Sequence, residues 1–181
     1  MEQLLAFIQR LISARDPYMK EQSERVARLT MDLARQLELP PARSAALEFA
    51  ARIHNIGNLA ISDSVLFKPS RLTEAEFLMI QQHTVLGVKI VEPLNFDPTI
   101  RAAILHHHEN YDGTGYPHRL KGDEIPIEAR ILRIVDTYDA LIHQRSYRPP
   151  YSHEAALEIL QENRQCFSPQ ILDTFLEMES E

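Results

Sequence analysis

The chain has 181 residues and a net charge of −7, with 19 Lys and Arg against 26 Asp and Glu, which argues against general binding to long nucleic acid. Its length fits one domain covering residues 1–181. The single cysteine, Cys166, excludes an internal disulfide or a cysteine metal cage and fits a reducing compartment. No apolar run approaches the roughly 20 residues that span a bilayer, and the N-terminus lacks a signal-peptide pattern, so we expect a cytoplasmic protein without a membrane span.

The composition predicts an all-α fold, because helix-forming residues dominate and the five glycines all lie between residues 57 and 122. Apolar residues recur at helical spacing, and Thr73 with Glu76 forms a capping box that marks a helix start. With no strand pattern, repeat or linker in between, the expected architecture is a compact multi-helix bundle. The predicted helices cover about residues 4–15, 20–39, 41–54, 73–83, 85–91, 99–108 and 127–144, with two more starting near Ser152 and Ser168.

The most informative stretch is His106–Pro117, which reads HHHENYDGTGYP. Adjacent helical residues point about 100° apart, so neighbouring histidines can flank one point only near a helix end. Such a point suits a metal ion or a phosphate, and the Asp and Gly residues that follow favour a turn. The alternative is a helix C-terminus with cations near its negative end, followed by an ordinary turn.

Four predicted helix segments carry residue types that bind metals. Each has a simpler role when taken alone; Asp136, for example, could pair with Arg133 or Arg130. Taken together, imidazoles and carboxylates on helices that must pack against each other indicate an oxygen and nitrogen metal site inside the bundle. These residues are His54, His83, His107, His108, Asp136 and Asp139.

These motifs resemble the HD-GYP domains, a branch of the HD metal-dependent phosphohydrolases, and the resemblance covers nearly the whole chain. The matching stretches include H-x-I-G at His54–Gly57, HHE-x-x-DG-x-GYP at His107–Pro117 and RIL-x-x-x-D-x-YDAL at Arg130–Leu141. The resemblance implies a helical bundle of the HD type, two or sometimes three metals, and hydrolysis of cyclic di-GMP. Whether the domain was excised from a larger signalling protein is left open.

The chain departs from the family pattern at the metal site. The family has a histidine at the position of Gln22, the HD aspartate at Asn55, a lysine at Asn58 and a glycine at Arg119. A neutral amide cannot replace a carboxylate that bridges two dications.

The resemblance therefore implies at most one transition metal per chain, Fe, Mn, Zn or Ni, held by His83, His107 and His108. Of the other metal position only His54 and Asp136 remain, and these two are the candidate catalytic residues. We expect a cyclic di-GMP phosphodiesterase that is impaired or inactive.

The candidate ligand-binding residues are Tyr116, Lys121, Arg145 and Arg148, which could hold cyclic di-GMP or a related nucleotide. Residues 101–150 hold 7 basic and 7 acidic residues, so this zone repels an anion least. The alternative is that the loop is merely rigid and the arginines are solvated. Two other functions stay open: a non-catalytic module that senses the nucleotide or docks a GGDEF domain, and a single-metal enzyme acting on another phosphoester. A homodimer is also left open.

Overall fold

The computed structural model describes residues 2–143 and 149–180, and within these ranges the chain is helical with no strand, which confirms the all-α prediction. The ten α-helices are α1 Glu2–Arg15, α2 Pro17–Gln36, α3 Pro41–Ile53, α4 Asp63–Leu66, α5 Glu74–Gln81, α6 His83–Val91, α7 Pro98–His106, α8 Ile127–Ile142, α9 His153–Glu162 and α10 Pro169–Glu179. None of the described helices is long and apolar enough to cross a membrane.

Local capping explains where the helices begin. The Asp16 carboxylate accepts a hydrogen bond from the backbone N–H of Tyr18 at 3.0 Å and starts α2 directly after α1. At α5 the predicted capping box is present, with Thr73 and Glu76 bonding each other's backbone N–H groups. Asp97 caps α7 in the same way as Asp16 caps α2.

The core forms where α2, α3, α7 and α8 pack together. Its largest fully buried side chains include Leu33 of α2, Ile53 of α3, Ile104 of α7 and Ile131 of α8. These four helices, with α6, bring their polar residues to one end of the core. The apolar packing therefore fixes the distances within the site described below.

The structure differs from the predicted boundaries in a few places. α2 begins at Pro17 and ends at Gln36, and α6 begins at His83, two residues earlier than predicted. The short helix α4 and the 3₁₀ turn Ile56–Ala60 were not predicted, because segments of four or five residues are too short to show a helical period.

Candidate metal centre

Three histidines converge where α6 starts and α7 ends. His83, His107 and His108 each offer a ligand atom, and these atoms all lie within 4.8 Å of one another. His83 and His107 are buried, and their Nε2 atoms are 3.2 Å apart. His108 is half-buried, and its ring centroid is 5.1 Å from that of His83. The structure thus brings together the three imidazoles that the sequence predicted to hold one metal.

Three site histidines share one hydrogen-bonding arrangement, in which Nδ1 lies 2.7 Å from a backbone carbonyl oxygen three residues earlier. The pairs are His54 with Ala51, His83 with Ile80, and His107 with Ile104. The last carbonyls of a helix lack intrahelical partners, so the ends of α3, α5 and α7 supply these acceptors. Because a carbonyl only accepts, each Nδ1 carries the proton and each neutral ring presents a bare lone pair at Nε2.

The lone pairs of His83 and His107 therefore face each other. Burial lowers the pKa of His83 to about 4, and burial together with the charge of neighbouring His108 holds the pKa of His107 well below its usual value. Two neutral acceptors 3.2 Å apart form no hydrogen bond and repel each other. Two nitrogens bound to one cation at its usual bond length lie about 3.0–3.4 Å apart. The donor set thus fits a single borderline cation.

A pH dependence follows for the metal-free protein. As the pH falls below 6.5, the ordinary pKa of histidine, the unfolded chain binds a proton that the buried His83 ring refuses until about pH 4. We expect chelator-treated protein to lose about 1.4 kcal/mol of unfolding free energy per pH unit for each such histidine in this window. Urea denaturation across the window measures the slope. His83→Gln should make it shallower, and an unchanged slope would contradict this account.

The polar side chains beside the three histidines, those of Gln22, His54, Asn55 and Asp136, are hydrogen-bonded to one another. The Gln22 amide donates from Nε2 to Asp136 Oδ1 at 3.0 Å, and the Asn55 amide donates from Nδ2 to His54 Nε2 at 2.8 Å. His54 Nε2 also lies 3.4 Å from Asp136 Oδ1. The Asn55 amide thus occupies the His54 lone pair that a second metal would need, and the Gln22 amide occupies one lone pair of Asp136.

Arg133 of α8 places a positive charge near the histidine site. The sequence pattern indicates it only as a possible partner for Asp136. Its Nε donates to Asn110 Oδ1 at 2.9 Å, and its guanidinium also bonds Thr137 and lies 5.5 Å from the Phe167 ring centroid. Its charge opposes the rise in the Tyr116 pKa that burial causes. A signal was available, since Arg133 precedes Asp136 by three residues and shares its helix face.

The loop after α7 is fixed tightly beside the histidines. The Tyr116 ring stacks on His108 with centroids 4.9 Å apart and planes inclined by 26°. A Cβ at Gly115 would lie 2.2 Å from the Asn110 backbone nitrogen, so only glycine allows this close approach. An open groove adjoins the loop and is lined by Gln81, Gln82, Thr114, Gly115, Tyr116, Pro117 and Arg119.

The sequence pattern of the HD domain family matches residues 6–171. The chain belongs to the HD domain family. It is 34% identical over 183 residues to a cyclic di-GMP phosphodiesterase of Thermotoga maritima, covering 99% of this chain and 50% of that protein. It is 38% identical to the 3′3′-cGAMP-specific phosphodiesterase 3 of Vibrio cholerae, covering 90% of this chain and 35% of that protein. Bd1817, an HDGYP protein from Bdellovibrio bacteriovorus, shares the fold with a TM-score of 0.74 and 19% identity, over 90% of this chain and 53% of that one.

These relatives and structural neighbours confirm the resemblance to the HD-GYP type. HD domains are metal-dependent phosphohydrolases, and this HD domain carries candidate histidine and glutamate groups for a metal. The identity of the metal and the number bound stay predictions. This HD domain spans about half the length, or less, of the curated relatives it matches.

The remaining predicted residues fall into three groups. Lys121 is exposed and packs over Gly113, near Asp112 on the outer part of the loop. Asn58 lies in the 3₁₀ turn that follows His54, and Arg145 and Arg148 lie outside the described residues.

Asp139 is not part of the histidine site, so its inclusion among the metal-type residues was wrong. Both of its carboxylate oxygens accept from the Arg25 guanidinium, at 2.8 and 3.1 Å, and His143 Nδ1 lies 3.2 Å from Oδ1. A buried carboxylate needs a compensating charge, and here α2 supplies it across the helix pair.

Proposed function

We propose that this HD domain binds a cyclic dinucleotide and hydrolyses it weakly or not at all, with at most one transition metal at the site formed by His83, His107 and His108. The observation that carries this proposal is the hydrogen-bonded half of the site, where neutral amides of Gln22 and Asn55 donate to Asp136 and His54 and supply no anionic bridge between two metals. The relatives named above act on cyclic di-GMP or 3′3′-cGAMP, which share a ring with two phosphodiesters. Both nucleotides are therefore test ligands.

A cation on His83, His107 and His108 would polarise a phosphoryl oxygen. The protein's own groups supply the rest of the recognition. Arg133 places a guanidinium beside Asp136 and Tyr116 at the inner end of the site. Arg119 lines the groove next to Tyr116 and Pro117. Two separated cations suit a ligand with two phosphates, because guanidinium binds phosphate through two N–H groups at once.

The first prediction concerns metal content. Protein purified without chelators is expected to lose no more than one transition metal per chain when His107 is replaced by Ala, because one of the three ligands of a single-metal site is then gone. His153→Ala is the matched control, since His153 bonds Tyr138 on α8 away from this cluster. Elemental analysis of the three proteins gives the answer. Two metals in the parent that are both lost in His107→Ala would show that Gln22 and Asn55 do not prevent a dinuclear site.

The second prediction concerns Arg119, whose backbone has φ of 56°, in the left-handed region that glycine adopts easily. This backbone accounts for the glycine at the corresponding position of the family pattern, and a strained arginine beside a groove indicates a role in binding. Arg119→Gly should weaken binding of cyclic di-GMP roughly three- to tenfold, because an exposed charge-assisted contact is lost. The same change should raise the unfolding free energy by up to about 1 kcal/mol.

Arg119→Ala separates the two effects, because it removes the charge and keeps the strained backbone. Both variants are expected to bind less tightly in calorimetry, and only the glycine variant is expected to gain stability. Unchanged affinity in both variants would exclude Arg119 from the ligand site.

A second candidate function is docking of a GGDEF domain. Helix α5 exposes Phe77, Leu78 and Met79 to 47%, 55% and 55%, and the Phe77 ring lies 6.4 Å from that of Tyr116. Adjacent exposed apolar side chains mark protein interaction sites. If neither nucleotide binds, while a GGDEF domain binds the parent and fails to bind Leu78→Glu, the docking function replaces the first. Sedimentation of the parent alone tests whether the same surface forms a homodimer.

A further inference from the structure

A second group of potential ligands lies near the C-terminal end of α7. His106, Glu109 and His118 each offer one ligand atom, and these atoms all lie within 4.8 Å of one another. His106 Nδ1 is 3.6 Å from Glu109 Oε1, and the ring centroids of His106 and His118 are 5.3 Å apart. None of the three belongs to the histidine site described above, where His83, His107 and His108 converge.

Glu109 is held in place by the loop that it faces. Its carboxylate is buried, and it accepts the backbone N–H of His118 at Oε1 (2.7 Å) and that of Leu120 at Oε2 (3.1 Å). A carboxylate offers about four lone-pair positions, so each oxygen keeps one free. These two bonds also fix the orientation of the carboxylate, as outer hydrogen bonds do for metal-binding groups.

His106 supplies an unused nitrogen beside that carboxylate. Its Nδ1 is buried and has no hydrogen-bond partner within residues 2–143 and 149–180. A buried nitrogen that makes no hydrogen bond is costly unless something else binds it. The side chain of His118 is exposed and can rotate toward it.

We propose that His106, Glu109 and His118 form a second site, for a borderline divalent cation such as Zn²⁺. Two imidazoles and one carboxylate form a common zinc ligand set, with water completing a tetrahedron. The ligand atoms of such a site lie about 3.2–3.5 Å apart, so a modest rotation of the His118 side chain closes the present arrangement. A cation here fastens the end of α7 to the residues that follow Pro117, and so holds the loop that carries Tyr116.

Zinc titration against a chromophoric chelator tests the site. The parent is expected to bind one more equivalent of zinc than His118→Ala, with a micromolar or tighter dissociation constant. The variant lacks one exposed ligand, and its core is undisturbed. His106→Gln should lose the same equivalent, whereas His153→Ala, which removes a histidine outside both groups, should keep it. His107→Ala should lose only the equivalent bound by His83, His107 and His108. Loss of metal from that site can therefore be distinguished from loss of zinc from the site of His106, Glu109 and His118.

Chemical modification gives an independent readout. Diethyl pyrocarbonate should modify the exposed His118 in metal-free parent, and micromolar zinc should slow that modification at least about tenfold. The proposal would be overturned if the parent and His118→Ala bound the same number of zinc equivalents. It would also be overturned if zinc protected His118 only at higher concentrations, because isolated surface histidines also bind zinc weakly.

Discussion

Changing Gln22→His, Asn55→Asp and Asn58→Lys together is expected to raise hydrolysis of cyclic di-GMP at least about 10²-fold and to raise the metal content by one metal per chain. The structure gives the reason. The Asn55 amide now donates to His54, and the Gln22 amide donates to Asp136, so both potential ligands are hydrogen-bonded to neutral amides that cannot act as anionic ligands. A carboxylate at position 55 would supply an anionic bridge, and an imidazole at position 22 would free Asp136.

Single substitutions separate these contributions. Asn55→Asp alone should recover less activity, because the amide of Gln22 still occupies Asp136. Asn58→Lys alone is the matched control, since it adds charge without adding a ligand, and it should leave metal content unchanged. A parent enzyme as fast as the triple variant would refute the degenerate site, and so would a triple variant that binds no more metal than the parent.

The histidines of the site could be predicted from sequence because their spacing is local. His107 and His108 are adjacent at a helix end, and the turn-forming residues after them mark that end. The helices could be predicted equally well, since Asp16, Thr73 and Ser152 cap helices through contacts within three residues. Periodicity and capping are short-range properties, so one sequence is enough to reveal them.

The hydrogen bonds at the second metal position could not be predicted in the same way. Gln22 and Asp136 are 114 residues apart, and Arg25 and Asp139 are separated by the same number, so only the packing of α2 on α8 reveals which pairs form. Both carboxylates look alike in the sequence, spaced by three on one helix. The left-handed backbone of Arg119 also depends on tertiary contacts. The loop must return toward Glu109, whose carboxylate accepts hydrogen bonds from the backbone N–H groups of His118 and Leu120.

Gly57→Ala is expected to lower the unfolding free energy by at least about 3 kcal/mol and to abolish metal binding. A Cβ at this position would lie 1.8 Å from the backbone oxygen of His83 and 2.6 Å from the backbone nitrogen of Gly87. Both obstacles are backbone atoms, so no side-chain rotation relieves the clash. The 3₁₀ turn Ile56–Ala60 and the start of α6 must then move apart, which displaces His83 from His107 and His108.

Gly113→Ala provides the comparison, since its φ of 85° strains any L-residue while the nearest atom to its Cβ is 3.6 Å away. It should cost only about 1–2 kcal/mol and leave metal binding intact, because the loss comes from the backbone alone. Urea denaturation and elemental analysis of both variants measure the difference. If Gly57→Ala unfolds at the same urea concentration as Gly113→Ala and keeps its metal, the close contact between the turn and α6 does not position the histidines.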